Sequence, residues 1–266
     1  MRKRIIALIS FLCYIVCWTQ AADEHYYFKN LSIKDGLSQT TVNAIMQDKK
    51  GFMWFGTKGG LSRYDGMSFR NFKRDMNDNH SLGNNFVTCL YEDNKGNIWV
   101  GTDAGVYIYY PAREIFVPFN LQSKENTQID RTVSAISGDK EGRVWIAVET
   151  QGLFCYEPQK EQLHNYTLNS FSANVQSVTS DNSGTIWVGF YGSGLFYSKD
   201  NLKTLHPYLS PKDGEEIFKD DVIMKIVPGA YNCIYISSIR KWVQELNLTS
   251  GNLRSLLLMD ETGEMV

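Results

Sequence analysis

VNAIMQDKKGFMWFGT, residues 42–57, decides the fold because it returns three times without a gap. The copies are VTCLYEDNKGNIWVGT at 87–102, VSAISGDKEGRVWIAV at 133–148 and VQSVTSDNSGTIWVGF at 175–190. Their tryptophans, Trp54, Trp99, Trp145 and Trp187, follow in steps of 45, 46 and 42 residues. That period belongs to a supersecondary unit that buries its faces by stacking on its neighbours. Each copy continues into a Gly, an aliphatic residue and a tyrosine: Gly60-Leu61 with Tyr64, Gly105-Val106 with Tyr109, Gly152-Leu153 with Tyr156, Gly194-Leu195 with Tyr197. A fifth, worn copy starts at Val222, with Tyr235 in the tryptophan slot, Trp242 beyond it, and Pro228-Gly229 where an Asp-containing turn should stand.

Each unit reads as four short strands. The first, Val42 to Gln47, is apolar at its first and fourth positions (Val42 and Ile45, Val87 and Leu90, Val133 and Ile136, Val175 and Val178), which a regular pleat sends to opposite faces. Asp48, Asp93, Asp139 and Asp181 each precede a Gly by three residues. This is hairpin-turn chemistry: the Asp side chain accepts from backbone N–H groups and Gly takes positive φ. Strand two carries the Trp, read as a wedge between units; strand three carries the Tyr; strand four is weaker, as at Ser68 to Phe72 or Ile115 to Phe119. The fold class is therefore all-β, a β-propeller of four-stranded blades, with about five present. The blades run at about 42–86, 87–132, 133–174, 175–221 and 222–257, followed by a tail to 266.

Ahead of the first blade, residues 22–41 form a lead-in whose Phe28 has the spacing of an outer-strand residue. It should close the ring by pairing with the last blade. Blade five also has its own fourth-strand candidate, Leu253 to Leu257, so the expectation is a displaced strand or an open arc from a truncated product that ends at Met265-Val266. Residues 1–21 read as a signal peptide: Arg2, Lys3 and Arg4, an apolar run from Ile5 to Cys17, and Thr19-Gln20-Ala21. The run is short for a membrane span. Its removal leaves 24 basic against 29 acidic residues, which argues against a nucleic-acid partner. Cys89, Cys155 and Cys233 fall in apolar strands outside any CxxC pattern and read as buried free thiols.

Asp35-Gly36-Leu37-Ser38, Val42-Asn43, Gln47-Asp48, Trp54-Phe55-Gly56-Thr57, Gly60-Leu61, Tyr64-Asp65-Gly66, Ser81-Leu82-Gly83-Asn84 and Trp99-Val100-Gly101-Thr102 together resemble the two-component regulator propeller repeat. The resemblance implies the periplasmic sensor region of a hybrid two-component histidine kinase, which recognises oligosaccharides from complex glycans and regulates the genes for their use. It further implies seven-bladed rings, so the five blades are expected to be part of one. A second propeller or a homodimer partner is a further expectation. No kinase motif lies in these residues, so no enzyme activity and no cofactor is expected of the chain itself.

His25, His80, His164 and His206 are scattered and read as surface or loop residues, not metal ligands. A propeller glycosidase or lyase is the less favoured rival: sialidase-like boxes place Asp two residues before Gly, whereas the spacing here is three, and an acid repeated in every blade is structural. Loops that break the repeat carry function on a rigid scaffold. The links between strands two and three place Lys58, Asp103, Glu149, Tyr191 and Arg240 on one face around the channel. The blade-crossing links add Asn84, Arg131 and Asn174. This mixture of amide, acid, base and phenol suits hydroxyl-rich or charged sugars. A protein–protein interaction scaffold using the same face is the alternative.

Overall fold

Every copy of the repeat folds into a four-stranded antiparallel sheet in which sequence neighbours pair. Blade 1 is β1 (Val42–Gln47), β2 (Met53–Thr57), β3 (Gly60–Tyr64) and β4 (Phe69–Phe72). Blade 2 is β5 (Val87–Glu92), β6 (Ile98–Thr102), β7 (Gly105–Tyr110) and β8 (Ile115–Pro118). Blade 3 is β9 (Val133–Gly138), β10 (Val144–Val148), β11 (Gly152–Glu157) and β12 (Gln162–Tyr166). Blade 4 is β13 (Val175–Ser180), β14 (Ile186–Phe190), β15 (Gly194–Ser198) and the short β16 (His206–Pro207). Blade 5 is β17 (Ile223–Pro228), β18 (Cys233–Ser238), β19 (Trp242–Asn247) and β20 (Leu253–Leu256). The computed structural model describes residues 29–124, 127–166, 174–210 and 214–256. The leader at 1–21, Phe28 and His25 lie outside them. The described lead-in contains a 3-10 turn, Ile33–Asp35.

The Asp-x-x-Gly turns form through their side chains. Asp48 Oδ1 accepts from the N–H groups of Lys50 and Phe52, at 3.0 and 2.9 Å. Its other oxygen accepts from the indole of Trp54 at 2.8 Å. The same bond joins Trp99 to Asp93 (3.1 Å), Trp145 to Asp139 (2.8 Å) and Trp187 to Asp181 (2.9 Å). One carboxylate thus shapes the hairpin and satisfies the only polar atom of the wedge, so the indole is buried with its N–H paired. Burying such a ring is worth roughly 4–6 kcal/mol of transfer free energy. Blade 5 keeps the hairpin without an Asp, Gly229 N–H donating to Cys233 O at 2.8 Å and the Cys233 thiol to Ala230 O at 2.8 Å.

The first strands depart from a regular pleat. In all five, the register shifts at the second residue, as between Val42 and Ala44. This bulge overturns the reading that positions one and four face opposite ways: it turns both toward the preceding blade. Val87 and Leu90 pack with Trp54 and Leu61, Val133 and Ile136 with Trp99 and Val106, Val175 and Val178 with Trp145 and Leu153, Ile223 and Ile226 with Trp187 and Leu195. The bulged side chain itself reaches the next blade: Asn43 Nδ2, Thr88 Oγ1 and Ser134 Oγ donate to the carbonyls of Val87, Val133 and Val175. In blades 1, 2 and 4 the Gly two residues after the Trp permits this approach; blade 3 has Ala147 there. A Cβ at Gly56 would stand 2.6 Å from Val87 Cγ1, and one at Gly189 2.5 Å from Ile223 Cγ2.

The fifth repeat begins one residue later than its sequence suggests. Ile223, not Val222, opposes Ser238 as Val42 opposes Thr57, and Tyr235 then occupies the Trp slot opposite Val227. Blade 5 has its own fourth strand, since β20 pairs with β19. Inner strands stack in order from β1 through β5, β9 and β13 to β17. The two remaining faces are uncovered by the described residues. Ile45, whose counterparts Ile136, Val178 and Ile226 are buried, is 63% exposed on blade 1. Val243, whose counterparts Leu61, Val106, Leu153 and Leu195 are buried, is 38% exposed on blade 5.

Candidate ligand-binding face

Thr57 and Thr102 close the link between strands two and three by donating to the carbonyls of Gly60 and Gly105, both at 2.8 Å. The next residue is pinned to the chain entering the first strand. Lys58 N–H donates to Thr41 O (3.4 Å), Asp103 to Phe86 O (3.2 Å), Glu149 to Thr132 O (2.8 Å) and Tyr191 to Asn174 O (3.0 Å). These four side chains therefore hold one equivalent position at one end of the propeller. In blade 5 that position is Ile239, which donates to Val222 O at 3.2 Å. Arg240 comes one residue later, its N–H donating to Asp221 Oδ1 at 3.2 Å.

The crossing links share this end. Gly60 donates to Asn85 O, Gly105 to Arg131 O and Gly194 to Asp221 O, at 2.8, 3.1 and 3.0 Å. Asn85, not Asn84, thus matches Arg131; Asn84 instead caps its own turn, Oδ1 accepting from Phe86 N–H at 2.8 Å. Asn174, half-buried, sits immediately before β13. Of the predicted residues, Lys58, Asp103, Tyr191, Arg240 and Arg131 are exposed, and Glu149, Asn84 and Asn174 are half-buried. Lys58 Nζ lies 5.5 Å from the Phe86 ring centroid, and Arg131 Nε lies 3.8 Å from Asp130 Oδ1.

Asp221 is the residue that sequence reading passed over. It is buried, its Oδ1 accepts from Val222 N–H at 2.7 Å, and its Oδ2 has no hydrogen-bond partner among the described residues. The only signal was the acidic pair Asp220-Asp221 in a crossing link. Within the propeller, a 660 Å³ channel is lined by all five first strands, including Asn43, Gln47, Ser137, Thr179 and Lys225. Tyr91 also lines it; burial, and then the charges of Asp93 and Asp139, push its phenol up to about 12. Among the described residues no group of three or more His, Cys, Asp or Glu side chains could hold a metal ion. His164 and His206 lie in β12 and β16, His164 Nε2 standing 3.5 Å from Glu157. Cys89, Cys155 and Cys233 are buried free thiols.

Comparison with known proteins gives this architecture its kin. The model of the two component regulator propeller matches residues 36–59 and 81–104, which cover β1–β2 and β5–β6. Histidine kinase P4 of Formosa agariphila is 36% identical over 77 residues, covering 29% of this chain and 5% of that kinase. The extracellular domain assigned to the hybrid two component system BT3049 of B. thetaiotaomicron superposes with a TM-score of 0.67 at 21% identity, over 91% of this chain and 38% of that one. A streptogramin B lyase superposes at 0.61 with 16% identity, over 85% of this chain and 70% of that one. The chain thus spans a minor part of that kinase and of that extracellular domain, and the two structural likenesses establish the propeller fold. No helix of the described residues is long and apolar enough to cross a membrane.

Proposed function

We propose that this chain, built from two-component regulator propeller repeats, is a ligand-sensing propeller of a hybrid two-component histidine kinase. It works in the periplasm, exported by the leader at 1–21, and recognises oligosaccharides released from complex glycans to regulate their utilisation. The observation that carries this reading is the pair of repeat matches in blades 1 and 2. The likeness to an extracellular sensor domain supports it. The face bearing Lys58, Asp103, Glu149, Tyr191, Arg240, Asn84, Arg131 and Asn174 offers the hydrogen-bonding variety that hydroxyl-rich ligands need.

The test is thermal unfolding of the purified protein with a panel of glycan oligosaccharides, with product analysis of the same mixtures. Stabilisation by one glycan class without turnover is expected, because a ligand that binds only the folded state raises the midpoint. Turnover would move the protein to the propeller lyases and glycosidases, and an unmoved midpoint across all classes would refute sensing.

A protein-docking scaffold is the second reading, favoured by one observation. Trp242 stands where the other blades have Gly60, Gly105, Gly152 and Gly194, at φ +59°, and is 68% exposed. A bulky residue held in left-handed backbone and left in water is an outlier that binding a partner would explain.

A further inference from the structure

A cleft of 1040 Å³ runs between blades 1 and 2 at the end of the propeller that carries the Asp-x-x-Gly turns, away from the strand two-to-three links. Its walls bring together Lys50, Arg63, Lys95 and Arg113. Arg63 breaks the repeat: the residues paired with Trp99, Trp145 and Trp187 on strand three are Ile108, Cys155 and Tyr197, while Trp54 is paired with Arg63. Arg63 is half-buried, its guanidinium carbon 4.6 Å from the Phe52 centroid and 5.8 Å from that of Trp54.

The acids of the cleft are already engaged. Asp48 is held by Trp54 and its turn, Glu92 Oε2 accepts from Lys49 N–H at 2.8 Å, and Glu114 is clamped by both terminal nitrogens of Arg70. Among the described residues no side-chain nitrogen of Lys50, Arg63, Lys95 or Arg113 lies within 4.0 Å of a carboxylate. Asp48 and Glu92 keep their charge, and the lysines and arginines outnumber them, so a chain of net charge −2 carries a cationic excess in this concavity, which focuses its field on an anion. A planar guanidinium fixed on aromatic faces keeps its N–H edge for bidentate binding of carboxylate or sulfate.

We infer that this cleft binds an anionic oligosaccharide, one bearing carboxylates or sulfates, with Arg63 as the central contact and Lys50, Lys95 and Arg113 around it. The inference rests on the sensing reading and adds to it a second sugar site, at the end of the propeller away from Lys58, Asp103, Glu149 and Tyr191. The cleft volume is ample for several sugar rings. The part of the affinity due to the cations falls as salt rises.

Titration calorimetry on the intact chain tests it with four probes of matched length: tetragalacturonate, a sulfated galactose tetrasaccharide, neutral cellotetraose and tetraglutamate. At least one anionic tetrasaccharide is expected to bind, more weakly at high salt, while cellotetraose and tetraglutamate do not. Arg63→Ile, which installs the blade 2 residue, should weaken binding at least ~10-fold. Lys95→Glu, on the exposed wall, should also weaken it and guards against a folding defect in the first variant. Lys199→Glu, in a separate cleft between blades 4 and 5, should leave affinity unchanged. Unchanged affinity in both Arg63→Ile and Lys95→Glu overturns the site, and equal binding of tetraglutamate overturns the sugar class. Cellotetraose binding alone sinks the cleft and leaves the sensing reading standing; silence from every sugar, here and across the glycan panel, sinks both.

Discussion

Asp139→Ala removes the one turn carboxylate of the repeat that, among the described residues, is paired with an arginine. The Asp139 side chain is 0% exposed, and it accepts four hydrogen bonds. The N–H groups of Glu141 and Arg143 reach Oδ1 at 3.1 and 2.9 Å, and the Trp145 indole and Arg143 Nε reach Oδ2 at 2.8 and 2.6 Å. Truncation leaves a buried indole N–H without an acceptor, worth about 1–3 kcal/mol. It also strands the Arg143 guanidinium, whose side chain is only 18% exposed; breaking a buried pair costs about 3–5 kcal/mol, reduced here because Glu141 remains 3.5 Å away. The expected total is about 3–5 kcal/mol. Asp48→Ala, at a half-buried turn whose carboxylate has no arginine partner among the described residues, should cost about 1–2 kcal/mol. Urea unfolding followed by near-ultraviolet circular dichroism reads both. With a slope near ~3 kcal/mol/M, the midpoint of Asp139→Ala should fall by about 1 M or more. In an Arg143→Met background the same truncation should cost less, because the stranded cation is gone. Equal losses for Asp139→Ala and Asp48→Ala, or a loss below ~1 kcal/mol at Asp139, would refute this account of the clasp.

Gly189→Ala forces a methyl to 2.5 Å from Ile223 Cγ2 and should destabilise by about 1–3 kcal/mol in thermal or urea unfolding. Leu153→Ala should cost about 2–5 kcal/mol, whereas Val243→Ala at the equivalent but uncovered position of blade 5 should cost under ~0.5 kcal/mol. Burial pushes the Cys155 thiol up to about 12 and raises that of Cys89. Iodoacetamide at pH 8 should therefore spare both in the native protein and label both in urea, as read by peptide mass spectrometry. For Tyr91 the folded value is raised above the unfolded one near ~10. Its stabilising contribution is therefore full below pH ~10 and lost as pH climbs toward ~12. Tyr91→Phe should flatten the fall in urea midpoint over that window.

Much of the architecture was legible because its causes are local and repeated. Asp, Gly and Trp recur at fixed spacing, and turn chemistry and strand alternation act over a few residues. The candidate face was legible only in outline. Lys58, Asp103, Glu149 and Tyr191 hold one position, but Arg240 and Asn84 each miss the equivalent position by one residue, because blade 5 starts at Ile223 and the crossing link anchors through Asn85. Asp221 escaped notice because its burial arises from two blades and a link meeting around it.

The amino-acid sequence by itself determined the β-blade, its turns and its count, since each follows from residues that speak to near neighbours along the chain. Only the tertiary structure decided what each side chain faces. The bulge in every first strand turns positions one and four the same way, the Gly two residues after the Trp makes room for the next blade in blades 1, 2 and 4, and Arg63 joins Lys50, Lys95 and Arg113 from two blades. Those outcomes depend on the packing of one blade against another, and no single repeat contains both sides of that contact.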